Sequence, residues 1–173
     1  TKSSSGVFFS FKRSSMRMTS PLTTAREKPA RTRSVKIAAL SAVFGKDSLK
    51  GLNIGLYGHS AVGRDIVYEI FTSLGAEVTK LGYSDKFIPV DTEAIREDDI
   101  KLAKEWANEY KFNSIISTDG DSDRPLISDE RGNWIRGDVL GIIVSKYLGM
   151  EAVVTPISSN SSVDLQGFNK VVR

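Results

Sequence analysis

The chain has 173 residues, 40% of them hydrophobic, and no cysteine. That length suits one full domain and part of another, with roughly 70% of an unfolded chain's surface buried on folding, and the lack of cysteine excludes a disulfide scaffold and a thiolate zinc site. The net charge of +3 divides into +7 over residues 1–34 and −4 over the rest, so the basic character belongs to one end of the chain.

Residues 1–34 are rich in Ser, Thr, Lys and Arg, contain Pro21 and Pro29, and show no hydrophobic period. They read as a disordered basic tail or leader. An organellar transit peptide has a loosely similar composition. No interleaving of aromatic and basic residues points to nucleic acid. No apolar run approaches the roughly 20 residues a membrane-spanning helix needs, so the reading is a cytoplasmic protein with neither nucleic acid nor membrane as partner.

Order is expected from Val35, with one α/β domain over 35–150. Leu52 to Tyr57 reads as a strand, Gly58-His59-Ser60 as a turn, and Ala61 to Leu74 as a helix capped by Ser60. Val62, Ile66, Ile70 and Leu74 recur every fourth residue and predict its buried face. Gly75 stops the helix, and Ala76 to Leu81 is a second strand. Thr92 is the expected cap of a helix reaching Lys111, with Glu93, Glu97 and Asp98 near its start, where the helix dipole favours acids. Asn113 to Thr118 is a third strand with Ile115 and Ile116 at its core. Pro125 to Ser128 is a short fourth strand turning at Asp129 to Asn133. Asp138 caps a helix to Tyr147, ended by Gly149, and Glu151 to Thr155 is a further strand. Alternation of this kind predicts a layered α/β fold with a largely parallel sheet.

The strongest chemical signal is Asp119-Gly120-Asp121-Ser122-Asp123-Arg124. In an extended turn alternate side chains can converge, and hard cations take carboxylate and carbonyl oxygens. Three carboxylates so close repel one another unless a cation is present. The loop follows a hydrophobic strand, and ligands in α/β sheets gather at the carboxyl ends of strands. Asp119, Asp121 and Asp123 are therefore the candidate ligands, with Mg²⁺ the expected ion. Arg124 can grip a phosphate oxygen or pair with a loop aspartate. An EF-hand spacing is also present, through Asp119, Asp121, Asp123 and Glu130, but its sixth position needs Gly and is Arg124. Gly58 to Asp65 imitates a phosphate-binding loop, with Arg64 in place of Lys and Asp65 in place of the hydroxyl residue. His59, the only histidine, is either a candidate cleft residue or a member of the turn.

Together these residues resemble the α-D-phosphohexomutases, the phosphomannomutase and phosphoglucomutase family. Its metal loop reads Asp-Gly-Asp-x-Asp-Arg, which Asp119 to Arg124 matches. Gly137-Asp138 resembles the helix start that follows it, and Leu74 to Val78 the segment before the second strand of domain two. Thr155-Pro156 to Asn160 is similar to the opening of domain three. The resemblance covers roughly residues 45–173. It implies the three-layer α/β/α architecture with a mostly parallel mixed sheet of that second domain, and a start of domain three at 151–173. It also implies phosphoryl transfer between the 1- and 6-positions of a hexose phosphate through a hexose 1,6-bisphosphate. Asp119, Asp121 and Asp123 would then hold Mg²⁺ and Arg124 would touch the phosphoryl group. The family's Thr-Ala-Ser-His-Asn-Pro and Gly-Glu-Glu-His motifs do not occur here, so no nucleophilic serine is assigned. On this reading the chain supplies the metal site to further domains of the same enzyme. Two alternatives are a Mg²⁺-dependent phosphatase with Asp119 as nucleophile, and a non-catalytic module that binds a metal or phosphosugar.

Overall fold

The computed structural model describes residues 38–173. The basic segment 1–34 and the expected onset of order at Val35 lie outside them. The described residues form two compact units, one ending at Gly137 and the other running from Asp138 to Arg173. No described helix is long and apolar enough to cross a membrane.

In the first unit, strands β1 (Asn53–Tyr57), β2 (Glu77–Leu81), β3 (Ser114–Thr118), β4 (Pro125–Ser128) and β5 (Trp134–Ile135) form one sheet in the order β2-β1-β3-β4-β5. β1 runs parallel to both β2 and β3, whereas β4 and β5 return as antiparallel hairpins. Helices α1 (Arg64–Ser73) and α2 (Glu97–Tyr110) make the two crossovers. Side chains alternate across a strand, and the two cores follow that alternation. Ile54, Leu56 and Ile116 pack with Val67, Tyr68 and Phe71 of α1. Tyr57, Ile115 and Leu126 pack with Ala103 and Ala107 of α2. The unit is thus three layers, α/β/α, around a mixed sheet. Ile115 and Leu126 are wholly buried, and each such burial stabilises by about 2 kcal/mol.

Two helix starts differ from the sequence pattern. α1 begins at Arg64 after Gly63, not at Ala61, and the Ser60 hydroxyl accepts the Ile88 N–H instead of capping the helix. Residues 58–63 are engaged with a neighbouring loop, so helical bonding starts a turn later. The buried stripe consequently passes through Val67 and Phe71, leaving Val62 exposed and Ile66 partly so. α2 begins at Glu97, because Asp91 Oδ1 accepts the N–H groups of Glu93 and Ala94 in a turn of its own. Thr92 is buried, and its carbonyl accepts the Gly137 N–H. Glu97, Asp98 and Asp99 fill the first turn of α2, as its dipole favours.

The second unit contains α3, which spans Gly137–Tyr147, and a parallel pair of strands, β6 (Ala152–Val154) and β7 (Lys170–Val172), joined through a 3₁₀ helix at Ser161–Leu165. Ile142, Val153 and Val163 form its core. Asp138, expected as the cap of this helix, instead lies within its first turn, because α3 already begins at Gly137; its carboxylate accepts the Val139 and Asn160 N–H groups, both at 2.9 Å. β5, β7 and the 3₁₀ helix are too short to impose a period on the sequence.

Candidate metal centre

β1 lies between β2 and β3, and the connecting helices cover opposite faces, so the carboxyl edge of these strands is where an α/β sheet of this kind places its binding loops. Three loops leave that edge together. Residues 58–63 follow β1, residues from Gly82 onward follow β2, and Asp119 to Arg124 follow β3. The first two are joined by Gly58 N–H to the Leu81 carbonyl and Ser84 N–H to the His59 carbonyl, both at 3.0 Å.

The acid loop closes on itself. The Asp119 and Arg124 backbones bond at 3.2 Å, as do Ser122 N–H and the Asp119 carbonyl. Ser122 takes a left-handed φ of 66°, which turns the chain between the second and third aspartates. One carboxylate oxygen from each of Asp119, Asp121 and Asp123 then lies within 4.8 Å of the others. Asp119 is buried while Asp121 and Asp123 are exposed.

Arg124 does not stand clear of this cluster. Its Nε donates to Asp119 Oδ2 at 2.7 Å, while Asp119 Oδ1 accepts the N–H groups of Asp123 and Arg124 at 3.2 and 3.1 Å. Burial pushes the Asp119 carboxyl up, but these bonds and the Arg124 charge outweigh it and hold it below the usual carboxylate range. Asp123 goes the other way, raised by desolvation and by the negative charges of Asp119 and Asp121. One guanidinium therefore faces three carboxylates and leaves a surplus of negative charge.

That donor set fits a hard divalent cation. All three side chains offer anionic oxygen, and the surplus charge is what Mg²⁺ or a similar ion neutralises. The exposed side of the cluster leaves room for water or substrate oxygens, which Mg²⁺ usually retains. The EF-hand spacing has a different origin, because the loop leaves one strand and enters another, with no helix on either side.

His59 is at the same edge but wholly buried, with Nε2 2.9 Å from the Thr118 carbonyl. It lies beneath the acid loop, not in an open cleft. The phosphate-loop imitation is likewise consumed internally. Val62 N–H donates to the Gly120 carbonyl at 3.0 Å, Gly63 N–H to Ser122 Oγ at 2.9 Å, and the Arg64 guanidinium to the carbonyls of His59 and Ser84. Sequence reasoning missed Val62, Gly63 and Ser122 as supports of the site. No local pattern marks them: that a Cβ at Gly63 would stand 2.7 Å from that of Ser122 becomes visible only once the two loops are folded together.

The model of the phosphoglucomutase/phosphomannomutase family, alpha/beta/alpha domain II, matches residues 35–132, which include the acid loop. The chain belongs to this family. It is 48% identical over 136 residues to a phosphomannomutase of Salmonella muenchen, a match covering 79% of this chain and 28% of that protein. A phosphomannomutase of Sinorhizobium fredii is also 48% identical, over 74% of this chain and 27% of its own length. A phosphoglucosamine mutase of Streptococcus gordonii is 26% identical across 72% of this chain and 30% of its own length. Among solved structures, a phosphoglucomutase/phosphomannomutase family protein of Burkholderia thailandensis shares the fold, with a TM-score of 0.53 at 16% identity over 69% of this chain and 28% of that one. The chain thus spans less than a third of the length of these relatives.

Proposed function

We propose that this phosphohexomutase-family domain supplies the divalent-metal site for phosphoryl transfer between the 1- and 6-positions of a hexose phosphate, through a hexose 1,6-bisphosphate. The observation that carries the proposal is the gathering of three carboxylate oxygens within 4.8 Å beside Arg124 at the end of β3. Asp119, Asp121 and Asp123 would hold Mg²⁺, which when bound neutralises charge on phosphoryl oxygens. Arg124 uses only Nε on Asp119, and nearly half of its side chain is exposed. Its terminal amino groups can therefore orient a phosphoryl oxygen while the ion pair fixes the guanidinium. Phosphoryl transfer relies on positioning and charge neutralisation more than on covalent help, and these residues offer both.

The 48% identity to phosphomannomutases favours a mannose phosphate as substrate. The phosphatase reading is less well supported, because both carboxylate oxygens of Asp119 are engaged within the loop, by the N–H groups of Asp123 and Arg124 and by the Arg124 guanidinium, and the relatives named above are mutases. Neither the serine motif nor the sugar loop of the family occurs in the 173 residues, so the phosphoryl donor and the sugar clamp are assigned to other domains.

Titration with Mn²⁺ as a paramagnetic substitute for Mg²⁺ tests the site. A single saturable site, displaced by Mg²⁺ and lost in Asp121→Asn, is expected. Equal binding by that variant would overturn the ligand assignment. Mannose 1-phosphate supplied with glucose 1,6-bisphosphate and Mg²⁺ should give no mannose 6-phosphate with this chain alone. Turnover abolished by Asp121→Asn would refute the assignment of the donor to another domain.

A further inference from the structure

We propose that His59 is a positioning residue that holds the acid loop in its cation-binding shape. The proposal rests on the cation reading above and concerns what builds the site, not which residues ligate. His59 has no exposed surface, yet it adopts a φ of 29°, in the left-handed region that side-chain-bearing residues avoid. A carbonyl only accepts, so the contact with Thr118 places the proton on Nε2. Nδ1 is buried without a partner among the described residues. A histidine kept only for stability would be expected to satisfy both nitrogens. Among the described residues the ring's one hydrogen bond goes to the residue that precedes Asp119.

The neighbouring bonds show a pattern. His59 reaches the Thr118 carbonyl, Val62 N–H reaches the Gly120 carbonyl, and Gly63 N–H reaches Ser122 Oγ. The Thr118 hydroxyl adds a bond to the Asp119 carbonyl at 2.9 Å. The loop after β1 therefore ties down residues 118, 120 and 122, and the intervening residues 119, 121 and 123 carry the acids. Holding alternate residues of a short turn brings the others together against their mutual repulsion. His59 is itself held, because its carbonyl accepts from Ser84 N–H and the Arg64 guanidinium. Supports one step removed from the ligands tune affinity without touching the ion.

The test compares Mn²⁺ affinity, read by electron paramagnetic resonance, in wild type, His59→Phe, His59→Gln and Ser122→Ala, with folding followed by circular dichroism. His59→Phe keeps a ring of similar size without the donor and should weaken binding about tenfold. His59→Gln, whose amide can donate to the same carbonyl, should recover affinity to within about threefold. Ser122→Ala, which removes the acceptor for Gly63, should weaken binding about threefold or more. A merely structural role would lower the melting temperature of His59→Phe and leave the affinity of the folded protein unchanged, and that result overturns the proposal. If His59→Phe does not fold, unchanged affinity in Ser122→Ala overturns it instead. No saturable binding by wild type would be a failure of the cation reading, distinct from the case in which wild type and variants bind alike.

Discussion

Asp119 and Asp129 each lead a tight turn, one entering β4 and the other leaving it, and both turns are acidic in sequence. Their carboxylates do different work. Asp129 accepts the N–H groups of Arg131 and Asn133 and the Asn133 side chain at 2.8–2.9 Å, all within its own turn. Its carboxyl is held below the usual range, chiefly by the Asn133 amide. Nothing remains there for a ligand to supply. At Asp119 the same fold gathers two further carboxylates, exposes them, and provides one guanidinium. The difference teaches that acid content alone does not mark a site. What counts is whether local N–H groups and cations satisfy the charge, and at Asp119 to Arg124 they do not.

Four substitutions would sharpen or break this contrast, taken from the largest effect to the smallest. Gly132 closes the Asp129 turn at φ 76°, and a Cβ there would collide with the Ala103 carbonyl of α2. Gly132→Ala should cost about 2–4 kcal/mol of stability in chemical denaturation, while the Mn²⁺ affinity of the folded protein stays unchanged. Asp119→Asn should lose stability and cation binding together, about 1–3 kcal/mol and at least about tenfold in affinity. It alone among the three acids both holds the turn and offers a carboxylate oxygen to the cluster. Asp121→Asn should lose comparable affinity but melt no lower than wild type, since it removes a repelling charge from an exposed position. A lower melting temperature would mean that Asp121 is structural and that the two turns are less different than they look.

The smallest effect belongs to Asp129→Ala, about 1 kcal/mol, with no change in metal binding. Its pH dependence has a definite sign. The folded carboxyl is lowered, so its contribution is complete above the ordinary carboxylate value near ~4 and fades as pH falls through the lower folded value. Melting curves of wild type should therefore fall toward acid more steeply than those of Asp129→Ala. Parallel curves would remove the Asp129 network from the account.

Much of this was readable from the chain. β4 falls at the predicted residues, Gly75 ends the turn after α1, and Asp119 to Arg124 stands out because three acids in six residues after an apolar strand are unusual. These are local signals, carried by alternation, by glycine and by charge spacing. The starts of α1 and α2 are not legible in the sequence, because competing side-chain bonds, Ser60 to Ile88 and Asp91 to its own turn, use the residues that would otherwise begin each helix.

The sequence by itself determined the alternation of strands and helices in a layered α/β fold and the clustering of acids after β3, because both depend on patterns within a few residues. The tertiary structure decided which side chains support that loop. The bonds from His59 to Thr118 and from Gly63 to Ser122 each join residues 59 positions apart. No periodicity reaches that far. The parallel pairing of β1 with β3 brings both carboxyl ends to one edge of the sheet, and only there do a lone histidine and an unremarkable glycine meet the acid loop.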